Sequence, residues 1–206
     1  MELRDAVRRR RMVRAFTDAP VAREVVDGLI DLARRAPSAG NSQGVAFVVL
    51  EGAEQTGRYW DVALPPERRG DFGFPGLVTA PVLILALVRA DTWIERYAEP
   101  DKANHGLGAG EAAWPVPYWW VDGGMAVEHL LLGAVDAGLG ACFFGLFDHE
   151  PAVFAELGVP DGWRALGTIA LGHPAPDEPG LSAKRPRRTV DEVLHRGGWN
   201  PAPTGG

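Results

Sequence analysis

Two groups of basic residues stand near opposite ends of the sequence. Arg8 to Arg11 form an unbroken run that Arg14 follows, and the second group consists of Lys184, Arg185, Arg187 and Arg188. The chain as a whole is acidic, with a net charge of −6. Each group alone is also consistent with a solvated surface run. If the two converge in space, they predict a site for a specific anion such as a phosphate.

Motifs for other kinds of chemistry do not occur. Gly138-Leu139-Gly140 begins like a dinucleotide fingerprint, but it follows a helical pattern, and Phe143 replaces the third glycine. The sequence has neither a P-loop nor a G-x-S-x-G nucleophile elbow. Its five His residues form no close pair, which argues against a catalytic metal. The single cysteine, Cys142, lacks a basic neighbour in sequence, so we expect a packing residue rather than a reactive thiolate.

Hydrophobic periodicity predicts the elements that must position these residues. Helices are predicted from Leu3 to Val7, near Trp93, and over Val25–Ala33, Val121–Ala137, Glu150–Leu157 and Thr189–His195. Short apolar runs predict strands at Val45–Leu50, Ala80–Val88 and Ala165–Gly172, and a strand or extended loop at Ala141–Phe147. Because helices and strands mix without strict βαβ alternation, the predicted fold class is α+β. The Val121–Ala137 helix is apolar nearly all round, which is typical of a protein centre or an interface.

Length and composition favour one globular domain over residues 1–206. Hydrophobic residues make up 46% of the chain, enough for a core. A Gly/Pro-rich excursion at 89–120 predicts a lid or substrate pocket, and residues 199–206 look like a loose tail. No apolar run is long enough to span a membrane, and the start does not resemble a secretory signal. We therefore expect a cytoplasmic protein without a membrane or nucleic-acid partner.

Five ordered segments together resemble the nitroreductase family of flavin mononucleotide (FMN) enzymes. They are residues 10–16 (RRMVRAF), 36–43 (APSAGNSQ), 138–145 (GLGACFFG), 169–174 (IALGHP) and 185–199 (RPRRTVDEVLHRGGW). The resemblance covers nearly the whole chain. It implies a central, mostly antiparallel sheet wrapped by helices. It also implies an intertwined homodimer with two FMN sites at the interface. In such a dimer, the Val121–Ala137 helix would bury one side on its own sheet and the other side on the partner.

The resemblance also assigns roles to the basic residues. Arg10, Met12 and Arg14 are the alternate residues expected to face the flavin, with Arg11 in the same motif. Arg10 is expected at the phosphate or ribityl chain, and Arg14 at the N1/C2-carbonyl edge, where its charge would favour the reduced ring. Met12 stands where the family usually has Ser, so a hydroxyl contact is lost. Arg185 and Arg187 are expected to complete the phosphate clamp.

Two further segments are expected to contact the ring. Residues 37–41 match a loop that the family places across the dimer onto the flavin, with contacts from Pro37, Ser38, Ala39 and Asn41. Phe144 and Gly145 match the stretch whose backbone N–H groups face flavin N5 and O4. The contact expected between 58 and 76 departs from the family pattern and stays unassigned.

The 89–120 excursion carries unusual aromatic density. Trp93, Tyr97 and Trp114 are the candidates for the wall of a substrate pocket. The alternative for aromatic residues in this segment is packing in the core or at a dimer interface.

The resemblance implies a ping-pong oxidoreductase that needs no catalytic side chain and no metal, because flavin N5 carries the chemistry. NADH or NADPH would deliver hydride to the flavin, and a nitroaromatic, quinone or enone would then accept the electrons. Three alternatives stay open. One is a tailoring dehydrogenase or oxidase, which includes a flavin-consuming enzyme that uses oxygen. The others are a deazaflavin-binding protein and a non-catalytic flavin-binding protein.

Overall fold

The computed structural model describes residues 1–176 and 185–199. It divides into two units, Met1–Pro176 and Asp177–Gly206. Every helix and strand named below lies in the first unit. The tail predicted at 199–206 lies, from residue 200 onward, outside the described residues. Within the described residues, no helix has the length and apolar character needed to cross a membrane.

Four strands form one antiparallel sheet, as the resemblance implied. They are β1 (Val45–Glu51), β2 (Val82–Val88), β3 (Gly140–Phe144) and β4 (Arg164–Gly172), in the order β1-β2-β4-β3. Every residue of β2 is buried, because this strand lies inside the sheet with both faces covered. β2 begins at Val82 rather than at Ala80, since Pro81 has no N–H to donate to a ladder.

Helices cover both faces of the sheet. The six α-helices of the described residues are α1 (Leu3–Arg9), α2 (Arg23–Ala33), α3 (Gly52–Ala63), α4 (Ala90–Ala98), α5 (Tyr118–Asp136) and α6 (Glu150–Leu157). Alternate residues of β2 divide between two cores. Leu83 and Leu85 pack with α3 and α6, whereas Val82 and Ile84 pack with α2 and α5. The α+β prediction is confirmed, in a three-layer arrangement.

The central helix α5 corresponds to the predicted Val121–Ala137 helix. Its inner face is buried in the core, with Ala126, Leu130 and Ala134 each at 2% exposure or less. Its outer face keeps Tyr118 and Val121 exposed at 43% and 45%. The helix therefore buries one apolar side within its own chain and presents a second apolar side at the surface.

Two segments differ from the sequence predictions. Helix α3 was not predicted, because its first turn is polar and begins with Gly52, although Thr56, Tyr59 and Trp60 are buried at helical spacing. The predicted 189–195 helix is wrong, because none of those residues is helical and residues 191–193 form a turn.

Candidate functional site

The segment that carries Arg10 and Arg14 runs beside the edge strand β3. Met12 forms a parallel bridge with Ala141, and the Val13 N–H donates to the Ala141 carbonyl at 2.9 Å. The Phe143 N–H donates to the Met12 sulfur at 3.4 Å. Val13 is buried in the core and fixes the register, which leaves Arg10, Met12 and Arg14 half-buried. The Met12 side chain thus contacts the backbone of β3.

A small arginine-lined cavity lies at the start of β3. It has a volume of about 150 Å³ and is bounded by Arg9, Arg10 and Arg11 together with residues 138–141. Arg10 Nε lies 3.4 Å from Glu128 Oε1 on α5. Since Glu128 is 47% exposed, this ion pair is weak and an incoming dianion can displace it. The cavity has the size and charge to hold a phosphate.

A larger aromatic cavity of about 470 Å³ lies at the other end of β3. Its aromatic lining residues are Tyr59, Trp60, Phe72, Phe74, Phe143, Phe144 and Phe147. Trp60 stacks on Phe144 with 5.8 Å between the ring centroids and 13° between the planes. Arg14 also lines the cavity, and its Cζ atom lies 5.1 Å from the centroid of the Phe74 ring. The cavity can therefore enclose a flat ring beside a guanidinium.

The lining of the aromatic cavity is mostly apolar, with Arg14 and His149 as its basic residues. The Tyr59 hydroxyl lies 3.0 Å from Thr168 Oγ1, and burial raises the pKa of Tyr59 to about 12. Tyr59 is therefore neutral at physiological pH. The Trp60 indole N–H is buried and has no hydrogen-bond partner among the described residues. None of the described lining residues is Asp or Glu. A flat ring that gains negative charge suits apolar aromatic walls with a cation at the edge.

The turn after β3 brings backbone close to the cavity. Gly145 follows Phe144, and a Cβ added there would lie 3.3 Å from the Phe147 ring. Phe147 has a φ of 49° and is 86% exposed. A left-handed aromatic residue is strained, and such residues concentrate at binding sites. Phe144 and Gly145, both predicted as site residues, line the same cavity as Arg14.

The predicted loop residues lie elsewhere in the chain. Pro37 and Ser38 line a separate cavity of about 220 Å³ with Asp122, and Asn41 is exposed. Ala39 donates its N–H to the Asp122 carboxylate. A single chain therefore does not bring this loop to the aromatic cavity.

The three aromatic residues predicted for the substrate wall are packing residues in the structure. Trp93 is 0% exposed and Trp114 is 7% exposed. Tyr97 is half-buried and meets Trp114 edge to face, with 4.8 Å between the ring centroids. They form a third hydrophobic cluster with Trp119, apart from the aromatic cavity. The full burial of Trp93 leaves no surface on its own chain for a substrate. The rings that line the aromatic cavity come from α3, residues 72–74 and the end of β3.

Two predicted phosphate ligands lie in the second unit. Arg185 and Arg187 are exposed there. Their convergence with Arg10 stays a prediction.

Sequence reasoning missed the rings between 58 and 76. Tyr59, Trp60, Phe72 and Phe74 line the cavity, and all four fall in or beside the stretch left unassigned. Their aromatic density was a usable signal.

Comparison with known proteins adds independent findings. A family model described as "Nitroreductase family" matches residues 7–173. An FMN reductase [NAD(P)H] from Bacillus subtilis is 29% identical over 187 residues, covering 90% of this chain and 70% of that protein. A 5,6-dimethylbenzimidazole synthase from Rhodospirillum rubrum is 30% identical over 201 residues, covering 88% of this chain and 89% of that protein.

A solved structure shares the fold. The hypothetical oxidoreductase YcnD from Bacillus subtilis superposes with a TM-score of 0.74 at 25% identity. The match covers 97% of this chain and 75% of that one.

Proposed function

Because the chain belongs to the nitroreductase family, we propose that it is an FMN-dependent oxidoreductase. It takes reducing equivalents from NADH or NADPH and passes them to a small organic acceptor: a nitroaromatic, a quinone or an enone. The relative named FMN reductase [NAD(P)H] supports the flavin and the nicotinamide. No nucleic acid or membrane enters this function, and the proposed location is the cytoplasm.

The observation that carries the proposal is the pairing of two cavities along one strand. Arg10 lines the small cavity and Arg14 the aromatic one, and the chain between them is extended. Four residues of extended chain span roughly 13 Å. FMN has a matching shape, with a phosphate at one end and a flat three-ring system at the other.

Bound FMN supplies a two-electron carrier that accepts hydride at N5. The chain's own residues contribute position and electrostatics. Arg14 holds positive charge at the ring cavity, where it favours the anionic reduced form. Arg10 and Arg11, joined by Arg185 and Arg187, hold the phosphate by charge-assisted hydrogen bonds. The Trp60 and Phe144 rings exclude water from one side of the ring site.

We further propose that the active protein is a homodimer. Ser38 and Asn41 lie away from the aromatic cavity of their own chain, so a second subunit is needed to bring them to the flavin. The exposed apolar face of α5 supports the same assembly, because Tyr118 and Val121 stand open on it.

The visible spectrum of the purified protein tests the proposal. A flavin spectrum that bleaches when NADPH or NADH is added anaerobically, and returns on addition of a quinone or nitroaromatic, is the expected result. Failure to bind added FMN would contradict the proposal. A protein that binds only a deazaflavin, or a yellow protein that no nicotinamide reduces, would favour the corresponding alternative instead.

A second candidate is a biosynthetic, flavin-consuming activity. The relative named 5,6-dimethylbenzimidazole synthase favours it, at 30% identity over most of both chains. Aerobic incubation of the protein with FMN and NADPH, followed by chromatography against authentic 5,6-dimethylbenzimidazole, separates the two functions. Product formation together with loss of flavin would favour this candidate.

A further inference from the structure

The loop from Ser38 to Gln43 holds a strained backbone. Gly40, Asn41 and Gln43 have φ values of 64°, 57° and 56°. Residues other than glycine rarely adopt this left-handed conformation, and they keep it only when their surroundings impose it. Hydrogen bonds inside the loop hold part of this shape, because the Gln43 N–H donates to Ser38 Oγ at 3.0 Å and the Asn41 N–H donates to the Ser38 carbonyl at 2.8 Å. Contacts from outside the loop add to them.

One buried carboxylate contacts the loop from behind. Asp122 on α5 is 3% exposed. Its Oδ2 atom accepts two hydrogen bonds of 2.8 Å, one from the Ala39 N–H and one from the Trp93 Nε1–H. A buried carboxylate is stabilised only when donors of this kind surround it. Asp122 thus joins the loop, α4 and α5 at a single oxygen atom.

A second contact reaches the next residue of the loop. Arg96 Nε donates to the Gly40 carbonyl at 2.9 Å. The other nitrogens of the same guanidinium bind both carboxylate oxygens of Asp101 at 2.7 Å. The bidentate pair orients the guanidinium toward the loop.

The aromatic residues of α4 fill the remaining space against the loop. A Cβ added at Gly44 would lie 2.1 Å from Trp93 Cζ3, and one added at Gly40 would lie 2.8 Å from Tyr97 Cε2. The rings therefore touch the loop backbone directly. Trp93 and Tyr97, which were expected in a substrate wall, therefore support the 38–43 loop.

We propose that Asp122 is a positioning residue, acting with Trp93 to hold the loop so that Ser38 and Asn41 meet the flavin of a second subunit. This inference rests on the proposed function. Because both hydrogen bonds end at one oxygen, an amide oxygen in the same place can accept both. Asp122→Asn therefore keeps the contact, whereas Asp122→Ala removes it.

The test measures FMN binding and loop protection separately. Apo protein is titrated with FMN by fluorescence quenching, and hydrogen exchange is followed at residues 38–43 without flavin. We expect Asp122→Asn to bind FMN within about twofold of the parent. We expect Asp122→Ala to bind about tenfold or more weakly, as loss of hydrogen bonds to a charged group predicts, with faster exchange at Ala39.

Two further variants cover loss of folding. Trp93→Phe removes one donor but keeps a ring, and Arg96→Gln removes the half-buried guanidinium that donates to the Gly40 carbonyl. Both variants are expected to weaken FMN binding about threefold or more. If Asp122→Ala does not fold, FMN binding by these two variants tests the positioning role. Lower melting temperatures with unchanged FMN affinity and unchanged loop exchange would mean a purely structural role and overturn the inference. A parent protein that binds no FMN overturns the proposed function as well, so the two failures are distinguishable.

Discussion

Arg14 offers the sharpest test of how the aromatic cavity acts on a flavin. Its guanidinium lines that cavity and lies over the Phe74 ring. If it faces the N1/C2-carbonyl edge, its charge stabilises the anionic reduced ring more than the neutral oxidised ring. Replacing it by an uncharged residue, Arg14→Met, should therefore lower the reduction potential and leave binding of oxidised FMN less affected.

The size of the effect follows from the burial of Arg14. Two unit charges about 4 Å apart interact by roughly 4 kcal/mol at an effective dielectric constant of about 20. Arg14 is only half-buried, so solvent screening reduces this to about 1–3 kcal/mol. For a two-electron couple, 30 mV corresponds to about 1.4 kcal/mol, which gives a shift of roughly 20–65 mV.

Spectroelectrochemical titration of the FMN-loaded protein measures the shift directly. Arg14→Lys is the matched control, because it keeps a positive charge at the same position and should retain most of the potential. A phosphate role for Arg14 would instead weaken FMN binding with little change in potential, and a surface ion pair would change neither. An unchanged potential in Arg14→Met would refute the assignment to the N1 edge.

Three other changes probe the remaining parts of the site. Arg10→Ala combined with Arg187→Ala should remove the flavin and leave a folded, colourless protein, whereas the control Arg8→Ala should keep its flavin. The ratio of flavin to protein absorbance after gel filtration measures the flavin load, and a full load in the double variant would show that the phosphate clamp is misplaced. Gly124 lies exposed on α5, and a Cβ added there would have no atom within 4 Å. Gly124→Leu should therefore leave the subunit folded but convert the dimer to a monomer, as measured by light scattering. An unchanged dimer would show that the interface does not use this face. Burial raises the pKa of Tyr59 to about 12, against 10 in the unfolded chain. The stability that the neutral hydroxyl contributes is therefore complete below pH ~10 and is lost as pH rises toward ~12, by at most about 3 kcal/mol. Denaturant unfolding should show this loss of unfolding free energy in the parent and not in Tyr59→Phe.

The sequence predicted the sheet well because burial leaves a local signature. β2 and β4 are short apolar runs, and each was placed to within two residues of its observed start. Helix α6 was predicted from Glu150 to Leu157, as observed. These elements pack against neighbours along most of their length, so their residue pattern carries the information.

The roles of aromatic residues could not be predicted in the same way. Trp93 and Trp60 are both buried tryptophans, but Trp93 packs behind the 38–43 loop and Trp60 lines the aromatic cavity. The difference comes from contacts distant in sequence. Trp93 bonds to Asp122, 29 residues away, and Trp60 stacks on Phe144. Composition shows that aromatic residues cluster, but not which surface of the folded chain they reach.

The position of β3 explains why the site forms where it does. β3 is the last strand of the sheet order, so among the described residues one of its edges pairs with no further strand. An open edge invites unwanted pairing unless the chain covers it. Here the segment with Arg10 and Arg14 covers it through the Met12–Ala141 bridge. Covering the edge therefore also sets the two arginines at a fixed spacing along β3.

The same arrangement makes the spacing between these arginines a strict requirement. Successive residues of an extended chain point to opposite sides, so a shift of one residue exchanges the two faces. Val13 must point into the core, where it is 4% exposed, for Arg10 and Arg14 to remain half-buried outside it. An insertion between Met12 and Arg14 would turn one arginine inward or pull Val13 out. The interval of four residues thus joins the packing of the sheet edge to the length of the ligand that the site is proposed to hold.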